Sequence, residues 1–366
     1  MAGAEMKAAE PAYRVSSRNY RLLQPYEVSE VVVDRPVNAG EVVVEPTLAS
    51  ICHADLRYYT GQRRPEALAR KLPMALIHEG IGRIVYGGTV GQRVVVVPNI
   101  PGYVRERIAP EDCCPACRSG IGENYCERGI FLGSGVDGIA QHRLVIPADC
   151  ALPVSDAVPD EIAVLAELCS VSCQAARQVR DRLGTARVAV FGDGPVGYLT
   201  AAVLHHAFGV TRDRLRVFGA IPDKLSQFDF AEQTLVQQAD FHSLPPVDIA
   251  FECTGGRFSE SAINQAIDLL KPGGCLVLMG VTEERVPINT RDVLEKGIRL
   301  IGSSRSSISD FAFVLKAMED ADCQATLRRI LPDSLTPVRS VADFKAAMDE
   351  TAEHRGWKKT LLEFHW

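Results

Sequence analysis

The chain has 366 residues, 46% hydrophobic and 23% charged, with 40 basic and 46 acidic side chains and a formal net charge of -6. That composition describes a folded chain of about two domains, and it excludes the broad positive field that draws a protein to nucleic acid or anionic lipid. No stretch approaches the ~20 apolar residues that span a bilayer, and the N-terminal MAGAEMKAAEPAYRVSSRNY lacks an apolar leader core, so the expected location is the cytoplasm.

In chain order, the first 150 residues carry short β-branched runs broken by Gly and Pro: EVSEVVVDRP, GEVVVEPTLAS, GIGRIVYGG, GQRVVVVPN and HRLVIPA. Such runs predict the strands of a barrel or sandwich. Among and after them stand Cys52 in SICHADLRYYTG, His78 and Glu79 in LIHEGIG, and Glu167 in LAELCSVS. Each taken singly has an ordinary explanation, since a lone Cys is usually core and a lone His or Glu is usually a satisfied polar group.

Of eleven cysteines, Cys113, Cys114, Cys117 and Cys126 crowd into one short segment. This is metal spacing rather than a disulfide framework. Glu111-x2-Cys114-x2-Cys117-x8-Cys126 offers four donors from one loop, as structural zinc sites do. The fourth donor is either Glu111, which keeps the even spacing, or Cys113, the softer ligand. Cys150, Cys169, Cys173, Cys253, Cys275 and Cys323 sit singly in apolar surroundings and read as small buried hydrophobes.

From about Asp160 helices alternate with apolar strands: RVAVFG, PVGYLTAAVLHHAF, RLRVFGA, VDIAFECTG, SAINQAIDLL, GCLVLMG and IRLIGSS. This alternation predicts an α/β unit with a parallel, doubly wound sheet. Gly192-x-Gly194-x-x-Gly197 lies between an apolar strand and an apolar helix. Gly192 permits the tight turn, Gly194 lets backbone N–H groups approach a pyrophosphate, and Gly197 lets helix and strand pack closely. Pro195 and Val196 in that loop, and Thr254 after a later strand, are expected to line the same cofactor. Where NAD-binding folds place Asp or Glu, this chain has Gly219. Gly219 leaves room for a 2′-phosphate, so NADP(H) is expected over NAD(H), with Lys224 either its counter-charge or a plain surface lysine. Asp193, between the glycines, is a negative charge near the phosphates that the sequence leaves unexplained. After Ser304, DFAFVLKAMEDA reads as helix, and the terminal GWKKTLLEF is expected to return as a strand to the first domain.

These segments together resemble the zinc-containing medium-chain dehydrogenase/reductases over residues from about Tyr20 to Lys359. The resemblance implies a GroES-like, β-rich catalytic domain over 1–173, completed by 304–366, and a Rossmann-type NADP(H)-binding domain over 174–303. It makes Cys52, His78 and Glu167 ligands of a catalytic zinc, as in the polyol-dehydrogenase branch, with Glu79 beside them. Asp55 becomes the partner that orients the His78 imidazole. Within the superfamily, ADLRYYTG, KLPMALIHEGIG, FECTGG, SAINQ and NTRDVLEKGIRLIGSSRS are similar to the ribulose-5-phosphate reductases, which make ribitol 5-phosphate for cell-wall polymers and capsules. The four-cysteine loop is a departure, because some members of that branch lack it. Ala54 is another, since alcohol dehydrogenases commonly carry Ser or Thr there to relay the proton. A metal-activated water, Glu79, Tyr58 or Tyr59 is left for that task.

The expected chemistry is therefore hydride transfer from NADPH to the ketone of ribulose 5-phosphate, polarised by zinc. Arg57, Tyr58 and Arg305 are the expected contacts of the substrate and its phosphate. Rival readings are the same chemistry on another polyol, sugar phosphate or cyclitol, or a non-catalytic dinucleotide-binding protein. A methyltransferase reading of the glycine loop would leave both metal constellations unused. Partners are expected to be a small sugar phosphate and further copies of the chain, as homodimer or homotetramer, with neither nucleic acid nor membrane.

Overall fold

A computed structural model describes residues 13–354 and 356–366. Its first part is built on β1 (Tyr13–Gln24), β2 (Glu27–Val37), β3 (Glu41–Ser50), β4 (Glu79–Tyr86), β5 (Arg93–Val96), β6 (Leu144–Pro147) and β7 (Ala151–Pro153). The alternation of Val42, Val43 and Val44 fills both faces of β3, which is almost wholly buried. It is the hub of the sheet, pairing antiparallel with β4 and β6. The helix α1 (His53–Tyr59) leaves the end of β3, and α2 (Ala166–Arg177) packs its buried face beneath the same region. The expected boundary at residue 173 falls inside α2.

The second part is a six-stranded parallel sheet of β8 (Val188–Phe191), β9 (Leu215–Gly219), β10 (Glu232–Leu235), β11 (Val247–Glu252), β12 (Leu270–Leu278) and β13 (Arg299–Gly302). Its order is β10-β9-β8-β11-β12-β13. The order reverses beside β8, so the crevice beyond its C-terminal end is where a doubly wound sheet binds ligands. The helix α3 (Pro195–His206) starts there. The chain then returns to the first sheet: β14 (Thr336–Val338) pairs parallel with β15 (Leu361–Phe364), and β15 pairs antiparallel with β3. The expected return of GWKKTLLEF is thus observed. β1 and β10 have no counterpart in the sequence reading, because YRVSSRNYRLLQ and EQTL are too polar to stand out.

Candidate active site and metal centres

Cys52 caps the N-terminus of α1 in an extended conformation. Asp55, one turn on and 1% exposed, organises the surroundings. Its Oδ2 accepts the N–H of Cys52 at 2.9 Å, its Oδ1 accepts the N–H of Ile77 at 3.1 Å, and the same oxygen lies 3.1 Å from His78 Nδ1. Occupation of Nδ1 leaves the Nε2 side of the ring for a metal. Ile77 is held at φ +71, a left-handed conformation that a β-branched residue adopts only under surrounding constraint. The local turn that presents His78 is therefore imposed by packing and by the Asp55 bond.

Cys52, His78 and Glu79 each place one donor atom within 4.8 Å of the others. A tetrahedral zinc with legs of about 2.0–2.3 Å needs donors roughly 3.3–3.8 Å apart, so this group can close on one ion. Burial would lower the pKa of His78, but the charge and hydrogen bond of Asp55 raise it well above the ordinary value. Burial and the Glu79 charge push the Cys52 thiol up, against the pull of His78. Glu167, from the first turn of α2, is buried but stands outside the tight group, which Glu79 completes instead. Its carboxyl is pushed up to about 7 by burial, against the attraction of His78 and with the Glu79 charge adding to the rise.

The cysteine loop forms a second cluster. Cys113 Sγ and Cys126 Sγ are 3.7 Å apart, Cys114 and Cys117 3.5 Å, and Cys114 and Cys126 3.9 Å. The edge of a tetrahedron of thiolates around zinc is about 3.8 Å, and a disulfide would be about 2 Å, so these spacings fit a metal and not a bridge. Backbone N–H groups of Cys117 and Glu127 help bring the Cys114 thiol down to about 6. The expected choice between Glu111 and Cys113 falls to Cys113, which is buried in the cluster, whereas Glu111 is exposed and outside it. The six single cysteines are all buried.

At the sheet's crevice, Gly192 has φ +130, and a Cβ on Gly197 would lie 2.0 Å from the Gly192 carbonyl oxygen. Only glycine lets α3 start this close to β8, and a Cβ at Gly194 would meet only open space. This is the cradle a dinucleotide pyrophosphate requires. Asp193 has a structural account: its Oδ2 accepts the N–H groups of Ala220 and Ile221 at 2.7 and 2.8 Å. A Cβ on Gly219 would meet Asp193 Cβ at 2.8 Å. Gly219 therefore makes room first of all for Asp193, and its opening for a 2′-phosphate is narrower than the sequence reading supposes. Lys224 is half-buried beyond it, Pro195 and Val196 line the loop, and the Thr254 N–H and hydroxyl are both donated to Glu252.

Two family descriptions match: "Alcohol dehydrogenase GroES-like domain" over residues 38–156 and "Zinc-binding dehydrogenase" over residues 228–320. A ribulose-5-phosphate reductase of Bacillus spizizenii is 37% identical across 95% of this chain and 99% of its own length. This chain belongs to the zinc-binding dehydrogenases. Ribulose-5-phosphate reductase 1 of Staphylococcus aureus is 35% identical across 94% of the chain and 98% of its own length. The crystal structure of S. aureus TarJ in complex with NADPH superposes with a TM-score of 0.80 at 32% identity, covering 96% of this chain and all of that one.

In this zinc-binding dehydrogenase the expected substrate residues divide. Arg57 is held by the loop after β12, its Nη2 donating to the Val281 carbonyl at 2.9 Å and its Nη1 to Glu283 at 3.3 Å. Tyr58 lies inward, bonded to Ser134 and Lys71. Arg305 stacks on Phe131, whose ring in turn lies 5.4 Å from His78. Tyr59 is buried and donates to Asp349 at 2.5 Å, which removes it as a proton donor. Sequence reasoning missed Lys359, which pairs with Glu79. It also missed Glu252, whose carboxylate gathers Thr254, Gly255, Ser259 and Gly280 at the crevice. An acidic residue closing an apolar strand, as in VDIAFE, is the one signal that could have found it.

Proposed function

We propose that this dehydrogenase reduces D-ribulose 5-phosphate to D-ribitol 5-phosphate with NADPH, supplying ribitol 5-phosphate to cell-wall or capsule polymers. The observation that carries the reading is the likeness to a ribulose-5-phosphate reductase along 99% of that relative's length. When bound, zinc supplies a Lewis acid for the ketone oxygen and the dinucleotide supplies the hydride. Cys52, His78 and Glu79 would hold the catalytic ion, with Glu167 beside them and Asp55 fixing the His78 tautomer. Cys113, Cys114, Cys117 and Cys126 would hold a structural ion. Gly192, Gly194 and Gly197 would seat the pyrophosphate on the N-terminus of α3, with Pro195, Val196, Gly219, Lys224 and Thr254 around the rest of the cofactor.

The rest of the task falls to positioning. Phe131 packs against His78 and walls the site, and the buried Lys359 pairs with Glu79. Glu167, with its raised pKa, and Tyr58 are the groups available to hold the proton that the product oxygen requires. We assign the described residues of 1–173 with those of 304–366 to the catalytic domain and 174–303 to the cofactor domain, with α2 as the junction; residues 1–12 and 355 of that assignment lie outside the described residues. We also assign the chain to the cytoplasm as a homodimer or homotetramer, with no nucleic-acid partner. The edge strand β13, with Leu300 exposed at 39%, offers a surface for a second copy. Among the described residues no helix is long and apolar enough to cross a membrane.

The test is NADPH oxidation by the zinc-loaded enzyme against a panel of ketoses and ketose phosphates. D-ribulose 5-phosphate should give the highest kcat/KM. A better free polyol, cyclitol precursor or other sugar phosphate would replace the substrate while leaving the reaction class, and no turnover with any would favour a non-catalytic role.

A further inference from the structure

Two cations, Lys71 and Arg63, stand on the Tyr58 phenol, and a third, Arg305, stands on the Phe131 ring that borders His78. Lys71 Nζ donates to Tyr58 Oη at 2.8 Å and to Ser134 Oγ at 2.7 Å. The Arg63 guanidinium lies 4.7 Å from the centre of the Tyr58 ring, and its Nε is buried with no hydrogen-bond partner. Arg305, held at φ +60, lies 5.2 Å from the Phe131 ring and makes one long bond, 3.4 Å, to Asn99 Oδ1. Ser134, which contacts Lys71 and Tyr58, donates its N–H to the Phe131 carbonyl at 3.0 Å and so ties the two groups together.

The acidic neighbour is Glu283, and it is already shared. Arg57 and Arg63 each reach it at 3.3 Å and Arg64 at 3.8 Å. Among the described residues no carboxylate pairs with Lys71 or Arg305. Guanidinium and ammonium groups can only donate, and half-buried cations whose one carboxylate, Glu283 on Arg63, is shared with Arg57 and Arg64 repel one another. A tetrahedral dianion with several acceptor oxygens would relieve that repulsion and fill the donors left open. Phe131 touches both Arg305 and His78, and α1 carries Cys52 at its start and Tyr58 near its end. One small molecule could therefore reach the cation group while its carbonyl lies at the cluster.

We propose that Lys71 and Arg63 at Tyr58 and Ser134, with Arg305 at the adjoining Phe131, seat the phosphate of the substrate. They set the preference for a phosphorylated ketose. This assignment rests on the reading of the enzyme as a sugar-phosphate reductase.

The experiment uses the full-length zinc-loaded protein as wild type, Lys71→Met, Arg63→Met and Lys71→Arg. Calorimetric titration with inorganic phosphate is run beside kcat/KM for D-ribulose 5-phosphate and for D-ribulose. Each Met variant should lower the ratio of the two kcat/KM values on the order of a hundredfold and raise the phosphate Kd by about tenfold or more. Lys71→Arg, which keeps the charge, should retain most of both. An unchanged ratio in both Met variants, or wild-type protein that binds no phosphate, overturns the proposal. So do equal losses on both sugars with phosphate binding intact, which would make Lys71 a partner of the Tyr58 proton. Phosphate binding that weakens in the Met variants, with no turnover of any pentulose phosphate, would sustain the pocket and remove the substrate reading alone.

Discussion

Lys359 and Glu79, 280 residues apart, form a buried ion pair: Lys359 Nζ lies 2.8 Å from one carboxylate oxygen and 3.1 Å from the other. Burial would lower the pKa of Lys359, but the Glu79 charge raises it above the ordinary value. Two residues earlier Trp357 donates its indole N–H to the Asp193 carbonyl at 3.0 Å. One short C-terminal segment thus touches both the metal cluster and the glycine loop of the cofactor crevice.

In the zinc-free protein Lys359→Met should leave the Glu79 carboxylate buried without its cation, a change that typically costs about 3–5 kcal/mol. The expected outcome is a lower denaturation midpoint together with altered zinc retention on dialysis. Lys359→Arg should recover part of both. Wild-type stability and zinc content in the Met variant would show that the pair is incidental.

Zinc content should be two ions per chain, because the thiolate cluster and the Cys52, His78 and Glu79 group are separate donor sets. Cys114→Ser should remove one ion and lower thermal stability, while Cys52→Ser should remove the other and abolish turnover. Metal analysis of the purified variants decides it. A wild-type count near one would remove the structural site.

Asp137, 4% exposed, accepts from Arg21 and Arg35 at 2.5 Å each, from Asn19 at 3.0 Å and from the Ala75 N–H at 2.9 Å. Burial would raise its pKa, but Arg21, the Ala75 N–H and the Arg35 charge hold it below the ordinary carboxylate value of 3.8. A depressed folded pKa stabilises the protein above the unfolded value, and that contribution is lost as pH falls from about 4 through the folded pKa. Asp137→Asn should cost about 2–4 kcal/mol at neutral pH, since it leaves two arginines without their anion. Urea titrations at pH 7 and pH 3.5 check both, and the gap between variant and wild type should narrow at the lower pH.

The cofactor preference should be NADPH over NADH. Gly219→Asp is expected to weaken NADPH binding, but the added Cβ would also crowd Asp193 and loosen the loop for either cofactor. Lys224→Ala is the cleaner probe. A rise in KM for NADPH of about tenfold, with NADH little changed, would identify Lys224 as the 2′-phosphate contact. Equal response to both cofactors would leave it a surface lysine, and a wild-type preference for NADH would overturn the reading of this strand end.

Much of the site could be read from local sequence because its chemistry is written in local spacing. Gly192, Gly194 and Gly197 sit in one turn, the loop thiols within one segment, and His78 directly beside Glu79. β-branched runs such as VVVV and VAVF declare strands by steric preference alone. The arrangement of charges was not legible, because it depends on which distant groups share one buried volume. Spacing could not say that Glu79, more closely than Glu167, would join Cys52 and His78, or that Lys359 would turn toward it. Nor could it say that Arg57 and Arg63 would share Glu283 while Lys71 turned to the Tyr58 hydroxyl. Local sequence sets backbone preference and the donor inventory, whereas each buried charge finds its partner only when the fold removes water and decides which groups face one another.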